Sequence, residues 1–410
     1  MTSTCRFCDA PLTETLADLG LTPFSNSFIA PEQAGAMEPF YPLHAYVCSQ
    51  CRLVQLEEFE SPSHIFSDYI YFSSYSESWL RHAEAYVTMM NRRFGLGAGS
   101  RVVEVASNDG YLLQYFQRLG VQVLGVEPAI NVAAVAEQKG VPSEVAFFGE
   151  ATAERLKAEG KSADVMAANN VLAHVPDIKD FVRGFAVLLK PDGVVTVEFP
   201  HLLRLMAETQ FDTIYHEHFS YLSLHVVQRI FAHAGLRVFD VEQLPTHGGS
   251  LRVFACHDGS TAHAATPNLA AVLADEQAAG LEKAAAYAAF ASQVIDTKCA
   301  LLRFLVDARA EGKTIAAYGA PAKGNTLLNY CGVGPELIAF TVDRSPHKQG
   351  RLLPGTRIPV RAPEAITEAK PDYLLILPWN LKGEIMAQMA GIKEWGGQFV
   401  VPIPMAQVVG

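Results

Sequence analysis

The sequence predicts an α/β protein with two units in which parallel strands alternate with helices, preceded by a small metal-binding segment. Two CxxC pairs, residues 5–8 and 48–51, open the chain. An apolar run at residues 102–105 then leads through the small-residue loop 106–110 into a helical pattern, which is how a parallel α/β unit begins. The same pattern restarts at Lys313. We therefore expect domains at residues 1–66, 67–257 and 258–410.

Composition narrows the class of protein. Half of the 410 residues are apolar and 18% are charged, as is usual for a globular protein. The net charge of −11 argues against a nucleic-acid partner, because phosphate backbones attract basic surfaces. No signal peptide and no apolar run long enough to cross a membrane is evident. An odd count of seven cysteines favours a reducing compartment, so we expect a cytoplasmic protein with no membrane partner.

The CxxC pairs predict a structural zinc site. Four thiolates from two such pairs can surround Zn²⁺ tetrahedrally and leave no position open for catalysis. The segment between the pairs is longer than in a compact zinc finger, so we expect it to hold a loop or hairpin of its own. Unrelated cysteines or a redox pair are the alternatives. The predicted ligands are Cys5, Cys8, Cys48 and Cys51.

The loop after the first strand of the central unit indicates a cofactor. It lies at the carboxyl end of a strand, where open α/β sheets bind ligands, but it lacks the glycine spacing of a dinucleotide site. It carries Glu104 and Asp109, and the second strand ends in Glu127, an acid suited to ribose hydroxyls. A nucleoside with a positive charge and no phosphates, S-adenosylmethionine, fits this pattern. The alternative is a generic α/β domain with incidental acids.

Residues 211–221 form the densest chemical stretch of the chain. They include His216 and His218, one on each side of Glu217. These histidines do not have the spacing of a helical metal motif. Histidine is the commonest general base near neutral pH, and a neighbouring carboxylate can orient it, so an acid/base role is expected. The aromatic and hydroxyl cluster at 67–76 closes over a ligand or simply packs.

The second α/β unit opens with a loop that carries a lysine and no acid, residues 319–326. Backbone N–H groups at a helix start, together with Lys323, suit a phosphate-bearing ligand. His347 and three further basic residues follow in sequence. The alternative is a solvated basic loop.

The chain resembles the S-adenosylmethionine-dependent C-methyltransferases of nucleotide-linked deoxysugars, over its full length. The stretches that carry the resemblance are DYIYFSS (68–74), EVASNDG (104–110), YHEHF (215–219), HGGS (247–250) and GAPAKGN (319–325), together with the paired CxxC motifs. One departure is Ala106, where methyltransferases commonly have glycine. The resemblance implies a zinc-binding N-terminal domain, a central Rossmann-like methyltransferase domain and a C-terminal Rossmann-like domain.

The resemblance also implies a reaction and its residues. The substrate would be a dTDP-linked 4-keto-deoxysugar, methylated at C3 through an enolate, in branched-sugar and antibiotic biosynthesis. His218 would be the base, oriented by Glu217, and the diphosphate would lie near Lys323. The remaining catalytic candidates are Tyr215, Tyr69 and His174. Expected cofactor contacts are Tyr71, Ser74, Glu104, Ala106, Asn108, Asp109, Glu127, Pro128 and Asn170. Expected substrate contacts are His247, Lys323, Asn325 and His347.

Other functions stay open from the sequence. An O- or N-methyltransferase would share the cofactor site without needing to remove a carbon-bound proton. A non-catalytic scaffold and a nicotinamide enzyme are further alternatives. The sequence leaves the oligomeric state open, with a monomer possible.

Overall fold

The computed structural model describes residues 3–61 and 72–410. Its strands form three sheets, one for each unit predicted from the sequence. Tyr69 and Tyr71, two of the predicted site residues, lie outside the described residues. None of the helices in the described ranges is long and apolar enough to span a membrane.

The N-terminal sheet has four antiparallel strands in the order β1-β2-β3-β9. The first three belong to the segment around the CxxC pairs, whereas β9 comes from the stretch between β8 and β10, two strands of the central sheet. The 215–218 stretch is thereby tied to the N-terminal sheet, because β9 begins two residues after His218. The strands are β1 (Glu14–Thr22), β2 (Tyr41–Val47), β3 (Val54–Leu56) and β9 (Ser220–Tyr221).

The central sheet has seven strands in the order β10-β11-β8-β7-β4-β5-β6. Its five strands β4 to β8 are parallel and follow the 3-2-1-4-5 order of a doubly wound sheet, while β11 runs antiparallel to both neighbours. The strands are β4 (Arg101–Val105), β5 (Gln122–Val126), β6 (Ser143–Glu144), β7 (Ala163–Asn169), β8 (Leu189–Pro200), β10 (Leu236–Leu244) and β11 (Ser250–His257).

Seven helices in the described part of the chain accompany the central sheet. Helix α1 leads into β4, and its N-cap Ser76 accepts a hydrogen bond from the Trp79 backbone N–H, as helix-capping serines do. The helices are α1 (Glu77–Phe94), α2 (Leu113–Arg118), α3 (Ile130–Gln138), α4 (Glu150–Ala158), α5 (Ile178–Leu188), α6 (Leu202–Ala207) and α7 (Leu224–His233).

The C-terminal sheet has six strands in the order β14-β13-β12-β15-β16-β17, parallel except for β17. A long helix, α9 (Ala284–Ala310), follows α8 (Pro267–Ala278) and leads into this sheet. The strands are β12 (Ile315–Tyr318), β13 (Thr341–Val342), β14 (Val360–Arg361), β15 (Tyr373–Ile376), β16 (Gln398–Val401) and β17 (Gln407–Val409). The helices are α10 (Ala322–Cys331), α11 (Ala365–Ala369) and α12 (Lys382–Gln388).

The long segment between the CxxC pairs docks on the C-terminal unit. Ile29 and Leu352 exchange two backbone hydrogen bonds of 3.0 and 2.8 Å. The Arg357 guanidinium pairs with the Glu38 carboxylate at 2.5 Å. Part of this segment therefore lies at the interface between the N-terminal and C-terminal units.

Candidate active site

The four cysteines of the CxxC pairs converge as predicted. Their sulfur atoms all lie within 4.8 Å of one another. Cys5 Sγ is 3.5 Å from Cys51 Sγ, and Cys8 Sγ is 3.4 Å from Cys48 Sγ. The Gln55 side-chain amide donates to Cys5 Sγ at 3.1 Å, the kind of supporting contact that orients a metal ligand. The donor set and its spacing fit a tetrahedral zinc ion.

The loop after β4 has the backbone of a ligand-binding turn. Ala106 and Asn108 have positive φ values of 56° and 50°, a region that L-residues rarely adopt. Glu127, at the end of β5, holds the loop: its carboxylate accepts from the Asn108 and Ala129 backbone N–H groups, both at 2.9 Å. A carboxylate has further lone pairs, so these bonds leave acceptor sites for ribose hydroxyls.

Glu104 near the end of β4 and Asp109 in the following loop have different environments. Glu104 is fully buried, and burial raises its pKa well above the ordinary range, although the nearby Tyr111 hydroxyl opposes the rise. Asp109 is also buried but forms an ion pair with Lys139, its Oδ2 lying 2.8 Å from Lys139 Nζ. Lys139 therefore compensates the charge of Asp109, and the predicted contact between Asp109 and the cofactor stays a prediction.

Lys139 also links the loop to the segment before α1. Its Nζ donates to Ser74 Oγ at 3.0 Å, and the Asn108 side-chain oxygen accepts from the Ser73 backbone N–H at 2.8 Å. Ser74, predicted as a cofactor contact, is thus held beside the loop.

Asn170 marks the same edge of the sheet at the end of β7. Its φ is +54°, and its backbone N–H donates to the Glu198 carbonyl oxygen at 2.7 Å. Pro128 directly follows Glu127 at the neighbouring strand end. The carboxyl ends of β4, β5 and β7 therefore bring the described cofactor candidates to one edge, as the sequence predicted.

His218 has the hydrogen bonds of a neutral base. Its Nδ1 lies 2.9 Å from the Thr213 carbonyl oxygen, and because a carbonyl only accepts, Nδ1 carries the proton. Its Nε2 lies 2.7 Å from the Tyr215 hydroxyl and accepts from it. Burial holds the pKa of His218 well below its usual range, so the ring is neutral near pH 7. The His174 ring packs edge-on against it with centroids 4.6 Å apart, and burial lowers the pKa of His174 to about 4.

The expectation that Glu217 orients His218 is wrong. The Glu217 Oε1 instead accepts from the Asn26 side-chain amide at 2.6 Å, and the Thr213 carbonyl fixes the His218 ring. Adjacent side chains of an irregular loop point in different directions, so Glu217 turns toward the N-terminal unit. Burial raises the pKa of Glu217 to about 7.

His247 stands on a strained turn at the rim of the cleft. Its φ is +54°, and its ring meets the edge of the Trp79 ring with centroids 5.6 Å apart. Surrounding protein lowers the pKa of His247 to about 4; because the side chain is exposed, solvent screening limits this effect. A strained non-glycine residue beside a cleft is a feature of functional sites.

The three substrate candidates of the C-terminal unit differ in exposure and in their contacts. Lys323 is half-buried and its charge helps to lower the pKa of both His218 and His247. Asn325 is buried, and its side-chain amide donates to the Ser25 carbonyl oxygen at 2.6 Å, so it joins two units. His347 is exposed, whereas the half-buried Lys348 beside it faces Glu217 and lowers that acid's pKa.

Sequence reasoning missed the residues that act on the site from far along the chain. Asn26 lies in the segment between the CxxC pairs, and Lys139 follows a helix of ordinary composition. Asp212 accepts from Trp379 Nε1 at 2.7 Å across the central and C-terminal units. The signal available for Asp212 was its place in the dense 211–221 stretch. Neither Asn26 nor Lys139 stood out by residue type or spacing.

The order of the central sheet and the acid-rich edge at β4 and β5 fit a methyltransferase. Three family models match: a putative zinc-binding domain over residues 5–66, a methyltransferase domain over 79–241 and a C-methyltransferase C-terminal domain over 245–404. The C-methyltransferase NovU of Streptomyces niveus is 38% identical over 405 residues, which cover 99% of this chain and 96% of NovU. The chain therefore belongs to this family of C-methyltransferases with an N-terminal zinc-binding domain.

More distant matches cover smaller parts of the chain. A ubiquinone biosynthesis O-methyltransferase of Cupriavidus pinatubonensis is 36% identical over 102 residues, 24% of this chain and 41% of that protein. Among solved structures, the magnesium protoporphyrin IX methyltransferase of Synechocystis PCC 6803 with bound S-adenosylmethionine covers 43% of this chain and 79% of its own, with 15% identity and a TM-score of 0.34.

Membership of the family confirms the enzyme class predicted from the sequence. The protein is an S-adenosylmethionine-dependent C-methyltransferase, and its described β4–β5 edge fits that cofactor. The family's zinc-binding domain and the converging cysteines likewise confirm the structural zinc site.

Proposed function

We propose that the enzyme transfers a methyl group to C3 of a dTDP-linked 4-keto-deoxysugar in the biosynthesis of branched deoxysugars. The observation that carries the proposal is the neutral His218 with its proton fixed on Nδ1 and a lone pair on Nε2. Such a base can remove a carbon-bound proton near neutral pH. Methyl transfer to oxygen or nitrogen would not require removal of a carbon-bound proton. The free cysteines of the chain suit a reducing compartment, so we propose the cytoplasm.

The reaction follows from the chemistry of the C3 proton. His218 Nε2 takes this proton, and the electron pair of the C–H bond moves toward the C4 ketone, giving an enolate. The Tyr215 hydroxyl, which donates to Nε2 in this structure, turns to a substrate oxygen when the sugar enters. C3 then attacks the methyl group of S-adenosylmethionine, the carbon–sulfur bond breaks, and S-adenosylhomocysteine leaves.

The other residues of the cleft have supporting parts in this proposal. Glu104, Glu127 and the turn at Ala106–Asn108 bind the cofactor. His174 excludes water beside His218, and His247 contacts the sugar from the rim. Glu217 and Lys348 form a polar wall where the N-terminal and C-terminal units meet, and the nucleotide lies along it.

The direct test is product analysis with S-adenosylmethionine and a dTDP-4-keto-deoxysugar. We expect a product heavier by one CH₂ unit, with the new methyl on a ring carbon that has lost its hydrogen. In His218→Asn, turnover should fall by about 10²- to 10⁴-fold, the usual contribution of a general base, with cofactor affinity retained. His233→Asn, an exposed histidine at the end of α7, is the matched control. Near-normal turnover in His218→Asn would refute the assignment of the base.

A further inference from the structure

The side chain of Lys323 is held by several contacts, and the proposed reaction gives it no role so far. Its Nζ donates to Asn380 Oδ1 at 2.5 Å and lies 4.6 Å from the centre of the Trp379 ring. Trp379 in turn donates from Nε1 to Asp212 Oδ2 at 2.7 Å. Lys323 is thus fixed over the ring of Trp379. Asn380 of the C-terminal unit holds the lysine, and Asp212 of the central unit holds the tryptophan; these four residues are the assembly around Lys323.

Asp212 supplies the counter-charge for this lysine. It is fully buried, and burial raises its pKa to about 6, while the Lys323 charge opposes the rise. It is therefore mostly ionised near neutral pH. Burial also lowers the pKa of Lys323, and the Asp212 charge opposes that change. Asp212 therefore favours the charged form of the half-buried Lys323, whose charge acts more strongly beside buried groups than in bulk water.

The position of Lys323 connects it to the proposed base. Thr213, the residue after Asp212, holds His218 Nδ1 through its carbonyl oxygen. Trp379 packs so closely against Gly248, next to His247, that a Cβ at Gly248 would lie 2.7 Å from Trp379 Cη2. The turn that carries His218 and the turn that carries His247 therefore both touch the assembly around Lys323.

We propose that Lys323 is a catalytic residue that binds the C4 oxygen of the sugar and stabilises the enolate, with Asp212 as its positioning residue. This inference rests on the proposed function. When His218 takes the C3 proton, the electron pair of the C–H bond forms the C3=C4 bond and negative charge collects on the C4 oxygen beside the ammonium group. On methylation the pair returns to form the C3–CH₃ bond, the methyl–sulfur bond breaks, and the ketone is restored.

This role differs from the diphosphate contact expected from the sequence. The Lys323 head group already donates to Asn380 and lies over the Trp379 ring, so two of its sides are occupied. Its single charge is matched by one carboxylate. Lys348, which donates to the Ala320 carbonyl oxygen at 2.9 Å and lies 3.8 Å from Asp343 Oδ2, is the alternative cation for a phosphate.

The test separates these roles by measuring exchange and binding in Lys323→Met. Substrate is incubated in D₂O without S-adenosylmethionine, and loss of the C3–H signal is followed by NMR. We expect exchange and kcat to fall by about 10²- to 10³-fold, the cost of removing one oxyanion donor. KM and the affinity for dTDP, measured by calorimetry, should stay at the wild-type value. The exposed Lys393→Met is the control.

Each outcome decides between the roles. Weaker dTDP binding with unchanged exchange of the bound sugar would overturn the proposal and restore the diphosphate contact. Exchange at the wild-type rate with unchanged binding would also overturn it. If the wild type itself neither exchanges nor methylates the sugar, the proposed function fails, which is a different result.

Two further variants guard against a folding defect and test Asp212. The double variant Lys323→Met/Asp212→Asn leaves no buried charge unpaired, and retained S-adenosylmethionine binding shows that it is folded; it should exchange as slowly as Lys323→Met. Asp212→Asn alone should lower kcat without raising KM, and Asp212→Glu should recover part of the loss. A rise in KM alone would show that Asp212 acts only on binding.

Discussion

The Arg252–Glu198 pair beneath the His247 turn gives a stability prediction that can be worked out from the structure. Glu198 is fully buried at the end of β8, with its Oε2 2.7 Å from Arg252 Nη2 and 2.9 Å from His82 Nε2. Its Oε1 accepts from Thr246 Oγ1 at 2.9 Å. Burial alone would raise the pKa of Glu198, but the His82 hydrogen bond and the Arg252 charge outweigh it and hold the pKa at about 2.

The magnitude follows from this pKa. Lowering it from an ordinary 4.5 to about 2 corresponds to about 3 kcal/mol of stability at neutral pH. In Arg252→Met the carboxylate loses its strongest charge partner and stays buried, which costs about 3–5 kcal/mol in comparable pairs. We therefore expect the free energy of unfolding to fall by about 3 kcal/mol, and the melting temperature by roughly 6–12 °C for a domain of this size.

Calorimetry at pH 7, 4.5 and 3.5 provides the assay. Because the folded-state pKa of Glu198 lies below the unfolded value, its contribution is complete above pH 4.5 and is lost as the pH falls toward 2. The difference between wild type and Arg252→Met should therefore shrink at pH 3.5. Arg92→Met, at an exposed position, should stay within about 0.5 kcal/mol of wild type. A difference below about 1 kcal/mol at pH 7, or one that does not change with pH, would refute the reasoning.

Three other changes test the parts of the site separately. Removing zinc with a chelator, or Cys48→Ser, should abolish turnover but leave S-adenosylmethionine binding. The reason is that Asn26 and Ser25 come from the zinc-held unit, whereas the cofactor loop does not. Turnover by an enzyme shown by metal analysis to be free of zinc would contradict this. Ala106→Gly should raise the free energy of unfolding by up to about 1 kcal/mol in calorimetry, since the 56° φ favours glycine; a clear loss would show that the turn is unstrained. Lys139→Met should weaken S-adenosylmethionine binding about tenfold in titration calorimetry, because it leaves buried Asp109 without its ion-pair partner. The exposed Lys157→Met is the control, and equal affinities of the two variants would contradict the role of this ion pair.

The parts of the fold that sequence reasoning predicted depend on local patterns. The strand, small-residue loop and helix around Ala106 are contiguous, and so is each CxxC pair, so both could be recognised from adjacent residues. The antiparallel strand β10 escaped notice. Residues 190–193, with their proline and glycine, predicted a turn but lie inside β8. Strand β8 pairs with β7 at Leu189 and again from Val194, opposite Ala163 and Val165, so residues 190–193 lie in an irregularity of the register where a turn preference is accommodated.

The parts of the site that could not be predicted depend on contacts between distant residues. Asn26 and Glu217 are 191 positions apart, and Trp379 and Asp212 are 167 apart. No pattern within a short window records such pairs. The error over Glu217 has the same origin: adjacency to His218 suggested contact, but packing against the N-terminal unit turned its carboxylate away. The boundaries expected at residues 66 and 257 stay predictions.

The most direct test of the central claim is solvent exchange at the substrate's C3 position. A dTDP-4-keto-deoxysugar is incubated with the wild-type enzyme in D₂O, without S-adenosylmethionine, and the C3–H signal is followed by NMR. The proposed base at His218 predicts that this signal disappears with enzyme present, and that adding the cofactor then yields a product methylated at C3. A persistent C3–H signal, together with methyl transfer to oxygen or nitrogen, would contradict the account.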